Sequence, residues 1–450
     1  MSQVQTVEEL EREQDDTAAP GSTLDEHATE QQIAALLKLE LPPIRCVDED
    51  WFVYQNGLWK NKSRNEFKPR ALSIQNPTTR TARRAANVLS HIEFEQQSPA
   101  EEFRSFCCFD GPDVVLINCA NGVLRVAPNE VTLLPHKPEY LFIGQLVGQY
   151  DPNVVAPIFE RVLQEALPDP ADLDLFRVFS GYALYPDCRF EAALVCYGPG
   201  GTGKSTLAQA IENVIGSDLV RHLSLEQICN PQSKLVAQLQ HMALNVSTEL
   251  NAIETVGGET FKQLVSGERI QADRKYLNDV CLRTGCKHWF NTNYLPQFRH
   301  GTDAELRRLR ILRFDRKPQT IDVTLKQKLG AERDGILLFM VDGLRALMGG
   351  NEIPTGGQES LRTRERFDIQ NNPIGAFVKA ECIIDPAKEI EKTQLFNAYR
   401  TFCERNGIPV PPDNGYFFKA LLTRFAIQNV RRRDGNERVQ KLLGIDLRDD

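Results

Sequence analysis

The chain has 450 residues, 41% hydrophobic and 25% charged, which is room for about three domains with cores of ordinary size. No apolar run reaches the length of a membrane span and no secretory h-region opens the sequence, so a cytoplasmic protein with no membrane partner is expected. The net charge of −8 belongs to residues 1–30, which hold nine carboxylates and one arginine. Residues 31–450 balance at 52 groups of each sign, so any nucleic-acid contact must come from local basic patches.

In chain order, the acidic segment 1–30 is poor in bulky apolar groups and is expected to be a disordered tail. Residues 31–185 have the pattern of an α+β and helical domain. Gln31–Leu39 has helical spacing, and strands at Trp51–Tyr54 and Gly57–Trp59 flank an Asn-Gly turn. A helix is expected over Arg80–Ile92. Two further strands, Val114–Asn118 and Gly122–Val126, are expected to turn at Asn121-Gly122, and helices follow at Pro157–Leu167 and Leu173–Leu184. Residues 192–316 alternate strand-like and helix-like segments, the pattern of an α/β layer with a largely parallel sheet. Thr324–Met348 carries apolar residues at helical spacing and is expected to cap that domain, which spans 186–350. Residues 351–373, rich in Gly, Pro, Asn and charge, are expected to be a linker. Residues 374–450 show helices near Ile374–Cys382, Thr393–Asn406 and Tyr416–Phe425, then a strand pair turning at Asp434–Asn436. That is the order of a winged helix.

The densest chemical signal lies at the start of the α/β layer. Gly198-Pro199-Gly200-Gly201-Thr202-Gly203-Lys204-Ser205 follows the apolar run Ala192–Tyr197 and precedes the helix-like segment beginning at Thr206. Strand, glycine-rich turn and helix N-terminus make a P-loop: backbone N–H groups converge on phosphate oxygens, and the helix dipole adds positive potential. Lys204 is expected to reach the β- and γ-phosphates of a nucleoside triphosphate, and the Ser205 hydroxyl to hold Mg²⁺. Further along, Glu249 stands just past the apolar strand Met242–Val246, where a carboxylate can polarise an attacking water and help hold the metal. Asn293 ends the strand Trp289–Thr292 and suits sensing of the γ-phosphate. Arg307 and Arg308 precede the strand ending at Phe314, where an arginine can reach a neighbouring subunit's phosphate. Cys281, Cys286 and His288 match no strong zinc spacing, and eleven irregularly spaced cysteines fit reduced thiols better than disulfides.

Taken together, the order of these motifs resembles that of superfamily 3 helicases, in particular the ATPase module of phage and plasmid primase-helicases and their poxvirus-like relatives. The residues that carry the resemblance are the P-loop at 198–205, Ser247-Thr248-Glu249, Lys262-Gln263-Leu264-Val265-Ser266-Gly267 with Asp273-Arg274-Lys275, Thr292-Asn293-Tyr294-Leu295-Pro296, and Arg307-Arg308-Leu309. The resemblance spans about 110–450. It implies a P-loop, AAA+-like α/β core that assembles as a homo-oligomeric ring, usually hexameric, with ATP and Mg²⁺ between subunits. It assigns the phosphates and metal to residues 198–206, water activation to Glu249, the sensor role to Asn293 and the trans arginine finger to Arg308 with Arg307. It also implies a pore hairpin over 266–282 whose Arg274 and Lys275 grip single-stranded or forked DNA, inside a bacterial host cytoplasm. Lys419, Arg424 and the wing Arg431–Arg433 are expected to face duplex DNA. The region before residue 110 is expected to be too short for a primase, so a separate protein would supply primers. An origin-binding initiator, or a DNA-dependent ATPase without processive unwinding, fits the same motifs.

Overall fold

The computed structural model describes residues 27–230, 235–247, 255–256, 258–272, 280–298, 303–410, 413–434 and 437–448. The acidic segment is therefore almost wholly outside the described residues, as are Glu249, Arg274 and Lys275. The chain divides into two units, one of residues up to 104 with 136–143, the other of 105–135 with the rest.

In the first unit, the helix Glu30–Glu40 starts at a capping box: Gln32 N–H donates to Thr29 Oγ1 at 3.2 Å, and Thr29 N–H to Gln32 Oε1 at 2.9 Å. It packs with the helix Ala82–Glu95 against the antiparallel strands Ile44–Val47, Asp50–Gln55 and Leu58–Lys62. Asn56 and Gly57, with φ of 52° and 81°, form the expected hairpin turn.

The second unit opens with a four-stranded antiparallel meander, 107–134. Its second hairpin pairs Cys119 with Gly122, so the turn is Ala120-Asn121, one residue earlier than expected, because Gly122 already belongs to the ladder. The helices Pro157–Ala166 and Pro170–Tyr182 lead into five strands that form one sheet: β1 (Ala193–Tyr197), β2 (Val220–Arg221), β3 (Leu244–Ser247), β4 (Lys287–Thr292) and β5 (Leu309–Arg313). Every pairing in it is parallel, and the spatial order is β5-β1-β4-β3-β2. The run of apolar residues in β1 that predicted a buried strand is explained by the two-sided burial of such a sheet. The pleat sorts alternate residues to opposite faces. Leu194, Cys196, Trp289 and Leu312 join one core with α1 (Lys204–Ile215), while Ala193, Val195, Phe290 and Ile311 join another with α2 (Gly258–Ser266).

On the first face, α3 (Arg333–Gly350) lies against Pro170–Tyr182 with backbones in close approach. A Cβ on Gly343 would sit 2.0 Å from the Arg177 carbonyl oxygen, and one on Gly181 2.1 Å from Leu344 N. Residues 358–371, expected to be linker, form the helix α4 (Gln358–Asn371), with Phe367 fully buried in the second core. Its inward face at 360, 364, 367 and 371 is mostly polar, so the apolar stripe that marks an amphipathic helix is missing.

The C-terminal region runs α5 (Pro373–Glu381), β6 (Cys382–Glu391), α6 (Lys392–Arg405), α7 (Asn414–Arg424), β7 (Gln428–Asp434) and β8 (Glu437–Leu447). The strands form an antiparallel sheet of order β6-β8-β7. β6 was not expected from the sequence. Its register shifts between Ile384 and Glu389 around Pro386, and that bulge destroys the alternation that signals a strand. Among the described residues no helix is long and apolar enough to cross a membrane.

Candidate nucleotide-binding site

The loop between β1 and α1 is shaped by its glycines. Gly201 and Gly203 have φ of 79° and 91°, in the left-handed region that side chains disfavour. A Cβ on Gly198 would lie 1.8 Å from the Phe314 carbonyl oxygen, so that position admits hydrogen only. At Gly200 and Gly201 nothing lies within 4 Å of where a Cβ would be, which leaves the inside of the loop open to a ligand. Gly203 caps α1, whose first N–H groups have no helical partner and point into that space. Ser205 is exposed on the first turn of α1 and Thr206 is half-buried.

Lys204 is buried, 7% exposed. Its Nζ donates to the carbonyl oxygens of Gly198 (2.7 Å) and Pro199 (2.8 Å) and to Asn293 Oδ1 (3.1 Å). Burial lowers its pKa below the usual lysine value, and the positive charge of Arg313 pushes the same way. The negative charge of a polyphosphate would oppose both effects. The meeting with Asn293 follows from topology. β4 pairs with β1 in parallel, Thr292 opposite Tyr197, so Asn293 leaves β4 where the loop leaves β1. Chain connections depart from β1 toward β2 on one side and from β4 to β5 on the other. In an open α/β sheet such a switch point is where ligands bind. Ser247 closes β3 beside β4, opposite Phe290, and the expected carboxylate of Glu249 lies beyond it, outside the described residues.

The two arginines ahead of β5 are treated differently by the fold. The Arg308 side chain is 5% exposed and held on three sides, by Glu191 Oε2 (2.6 Å), Ser266 Oγ (2.9 Å) and the Ala304 carbonyl. The Arg307 side chain is 68% exposed and only 3.8 Å from the same carboxylate. Arg313, which the sequence reading passed over, ends β5 opposite Tyr197, its guanidinium 4.6 Å from that ring's centroid and 2.6 Å from Asp315 Oδ1. Its strand-end position beside a P-loop was the available signal.

The fold resembles that of the NrS-1 C-terminal region. An A-form apo structure of that region superposes with a TM-score of 0.53 at 10% identity, over 93% of this chain and all of that one. Two further apo structures of it, residues 305–718, give 0.50 at 10% identity. One covers 94% of this chain and 100% of that chain, the other 92% and 99%. A family of unknown function, DUF5906, matches residues 196–308, from the end of β1 to Arg308. No curated protein matches the sequence.

The expected DNA-facing residues are scattered by comparison. Ile270–Ala272 and Val280–Leu282 pair antiparallel, and Arg274 and Lys275, expected at the tip of a hairpin there, lie outside the described residues. Lys419 and Tyr416 are exposed on α7, three residues apart and so on one face. Arg431 is exposed on β7, and Arg432 pairs with Glu389 at 2.9 Å. The backbone of Arg433 continues that strand. Arg424 donates to Asn372 Oδ1 at 2.7 Å instead of standing free. Cys286 and His288 are buried in and beside β4, and no group of three metal-ligating side chains occurs among the described residues. A concavity of about 670 Å³ lies by Val378, Ile383 and Arg448, away from the loop.

Proposed function

We propose that this protein is an ATP-driven, ring-forming DNA helicase of superfamily 3 type, serving replication of a phage, plasmid or integrated mobile element. The observation that carries the reading is the 3.1 Å contact of Lys204 with Asn293 at the switch point between β1 and β4. It joins the two motifs, 89 residues apart, that such an ATPase must bring together. The open loop at Gly200 and Gly201 supports triphosphate binding, and exposed Ser205 is the side chain there to help hold Mg²⁺. When bound, the cation would neutralise charge on the transferring phosphoryl group. Asn293 would orient the attacking water or report the γ-phosphate, with Glu249 as its general base. Arg307 is the arginine free to enter a neighbour's site, and Arg308 the one that holds the segment in place. On this reading the 270–282 hairpin follows one DNA strand as the sites fire, and α7 with β7 and β8 forms the winged helix.

The test is strand displacement on a forked duplex, with ATP hydrolysis followed in the same reactions and Lys204→Ala as control. Displacement that requires Lys204 supports the helicase. DNA-stimulated hydrolysis without displacement would favour the initiator reading, for which the exposed Tyr416 and Lys419 face of α7 is the observation. Hydrolysis unaffected by Lys204→Ala would sink both.

A further inference from the structure

We propose that Asn371, Asn372 and Arg424 form a mechanical tether that makes the position of α7 depend on the state of the nucleotide site. The inference rests on the reading above, in which Lys204 and Asn293 contact ATP and α7 faces DNA.

The helix α4 is a strut with one bonding face. Ser360, Arg364, Phe367 and Asn371 follow a spacing of four, three and four and so share one side of the helix. Ser360 Oγ accepts from Arg313 N–H at 2.9 Å, the Arg364 guanidinium donates to the Leu309 carbonyl, and Phe367 packs edge-on to Phe298. These bonds fix α4 along β5, the strand between the two paired arginines and Arg313. At the end of the strut, Asn371 Oδ1 accepts from Phe298 N–H at 2.8 Å, and its amide nitrogen donates to the Phe367 carbonyl at 3.0 Å. Phe298 is five residues past Asn293, in the short strand Gln297–Phe298 that pairs in parallel with Thr255–Val256. The next residue, Asn372, is 6% exposed. Its Oδ1 caps α5 by accepting from Gly375 N–H at 3.2 Å, and it accepts from Arg424 Nη1 at 2.7 Å.

From Lys204 the connection therefore runs through Asn293, the short segment into the strand Gln297–Phe298, Asn371, its neighbour Asn372, and Arg424 on the last turn of α7. Each step is a hydrogen bond or a few residues of chain. Asn371 and Asn372 are short amides, the first half-buried and the second buried. A displacement of that segment when Asn293 exchanges Lys204 for phosphate must move Phe298 N–H, and Asn371 passes that to α7. By linkage, DNA on α7 must then alter nucleotide affinity by the same factor as nucleotide alters DNA affinity.

The experiment measures binding of the full chain to a fluorescent forked duplex with and without adenylyl imidodiphosphate and Mg²⁺, and nucleotide affinity with and without the duplex. The expected wild-type coupling is in the ordinary allosteric range of about 5- to 150-fold. Asn371→Ala should bring it to about twofold or less, while affinity for each ligand alone stays at the wild-type value. Asn371→Asp, which keeps the acceptor for Phe298, should retain coupling. Arg424→Ala should also remove coupling. Thermal unfolding of each variant separates this from simple loss of stability, which lowers the midpoint without changing the ratio of affinities. Full coupling in Asn371→Ala overturns the tether. So does an Arg424→Ala variant that weakens DNA binding equally with and without nucleotide, which would make Arg424 a DNA contact. A wild-type chain that binds both ligands without coupling overturns the tether alone, whereas nucleotide binding unchanged by Lys204→Ala overturns the underlying reading instead.

Discussion

Arg307 and Arg308 are adjacent in sequence and chemically identical, and the fold separates them. Arg308 is bonded to Glu191, Ser266 and Ala304, so Arg308→Ala leaves Ser266 and a partly covered carboxylate without their partner. Its expected cost is about 1–3 kcal/mol of stability, seen as a lower urea midpoint. Arg307→Ala should change stability by less than about 0.5 kcal/mol, as exposed substitutions do. It should keep ATP affinity yet slow hydrolysis by a factor on the order of 10³ or more. A stable, fully active Arg307→Ala enzyme would remove the finger assignment. His288 gives a second test at this scale. It is 1% exposed, neither ring nitrogen has a hydrogen-bond partner, and burial, with Lys287 adding to it, lowers its pKa from 6.5 to about 3. The unfolded chain therefore binds a proton that the folded chain refuses between those values. Stability contributed by neutral His288 is complete above pH 6.5 and is lost as pH falls toward 3, by up to about 5 kcal/mol. His288→Phe should flatten the decline of the urea midpoint with acidification, and an unchanged slope would assign the acid sensitivity to other groups.

Among the elements, α3 and Pro170–Tyr182 meet through Gly343 and Gly181 with no space for a methyl group. Gly343→Ala should force the helices apart at a cost of about 1–3 kcal/mol, measurable as a drop in thermal midpoint, even though alanine favours a helix in isolation. A variant as stable as the wild type would show that the contact can yield. The same level shows where the sequence was legible. β1 announces itself because a sheet covered on both faces demands an apolar run, and the loop after it because its backbone demands glycine. The Asn293 contact was legible as a motif but needed the β1–β4 pairing to become geometry. α4 was illegible because its buried side satisfies strand-end carbonyls and N–H groups with Ser360, Arg364 and Asn371, side chains that composition assigns to a linker. β6 was hidden by its bulge at Pro386, and the engagement of Arg424 and Arg308 by partners far away in sequence.

For the molecule as an assembly, the separation of cis and trans groups decides what a single chain can do. Lys204 and Asn293 meet within one chain, whereas the Arg307 side chain is 68% exposed and only 3.8 Å from the Glu191 carboxylate that holds Arg308 at 2.6 Å. On the proposed reading a lone chain would bind ATP but lack one cation for the transition state, which association would supply. Rings close only through heterologous contacts in which one face of each subunit meets a different face of the next. Each site would thus draw its loop from one subunit and its arginine from another. Mixing Lys204→Ala with Arg307→Ala chains tests this directly. Each variant alone has no intact site, but where the loop of an Arg307→Ala subunit faces the arginine of a Lys204→Ala subunit both parts are present. Random mixing in equal amounts makes that arrangement at about one interface in four. ATP turnover of the mixture should rise well above that of either variant, in step with formation of a ring-sized species by light scattering. A ring that forms without any recovery of turnover would place the arginine in its own subunit's site and end the shared-site reading.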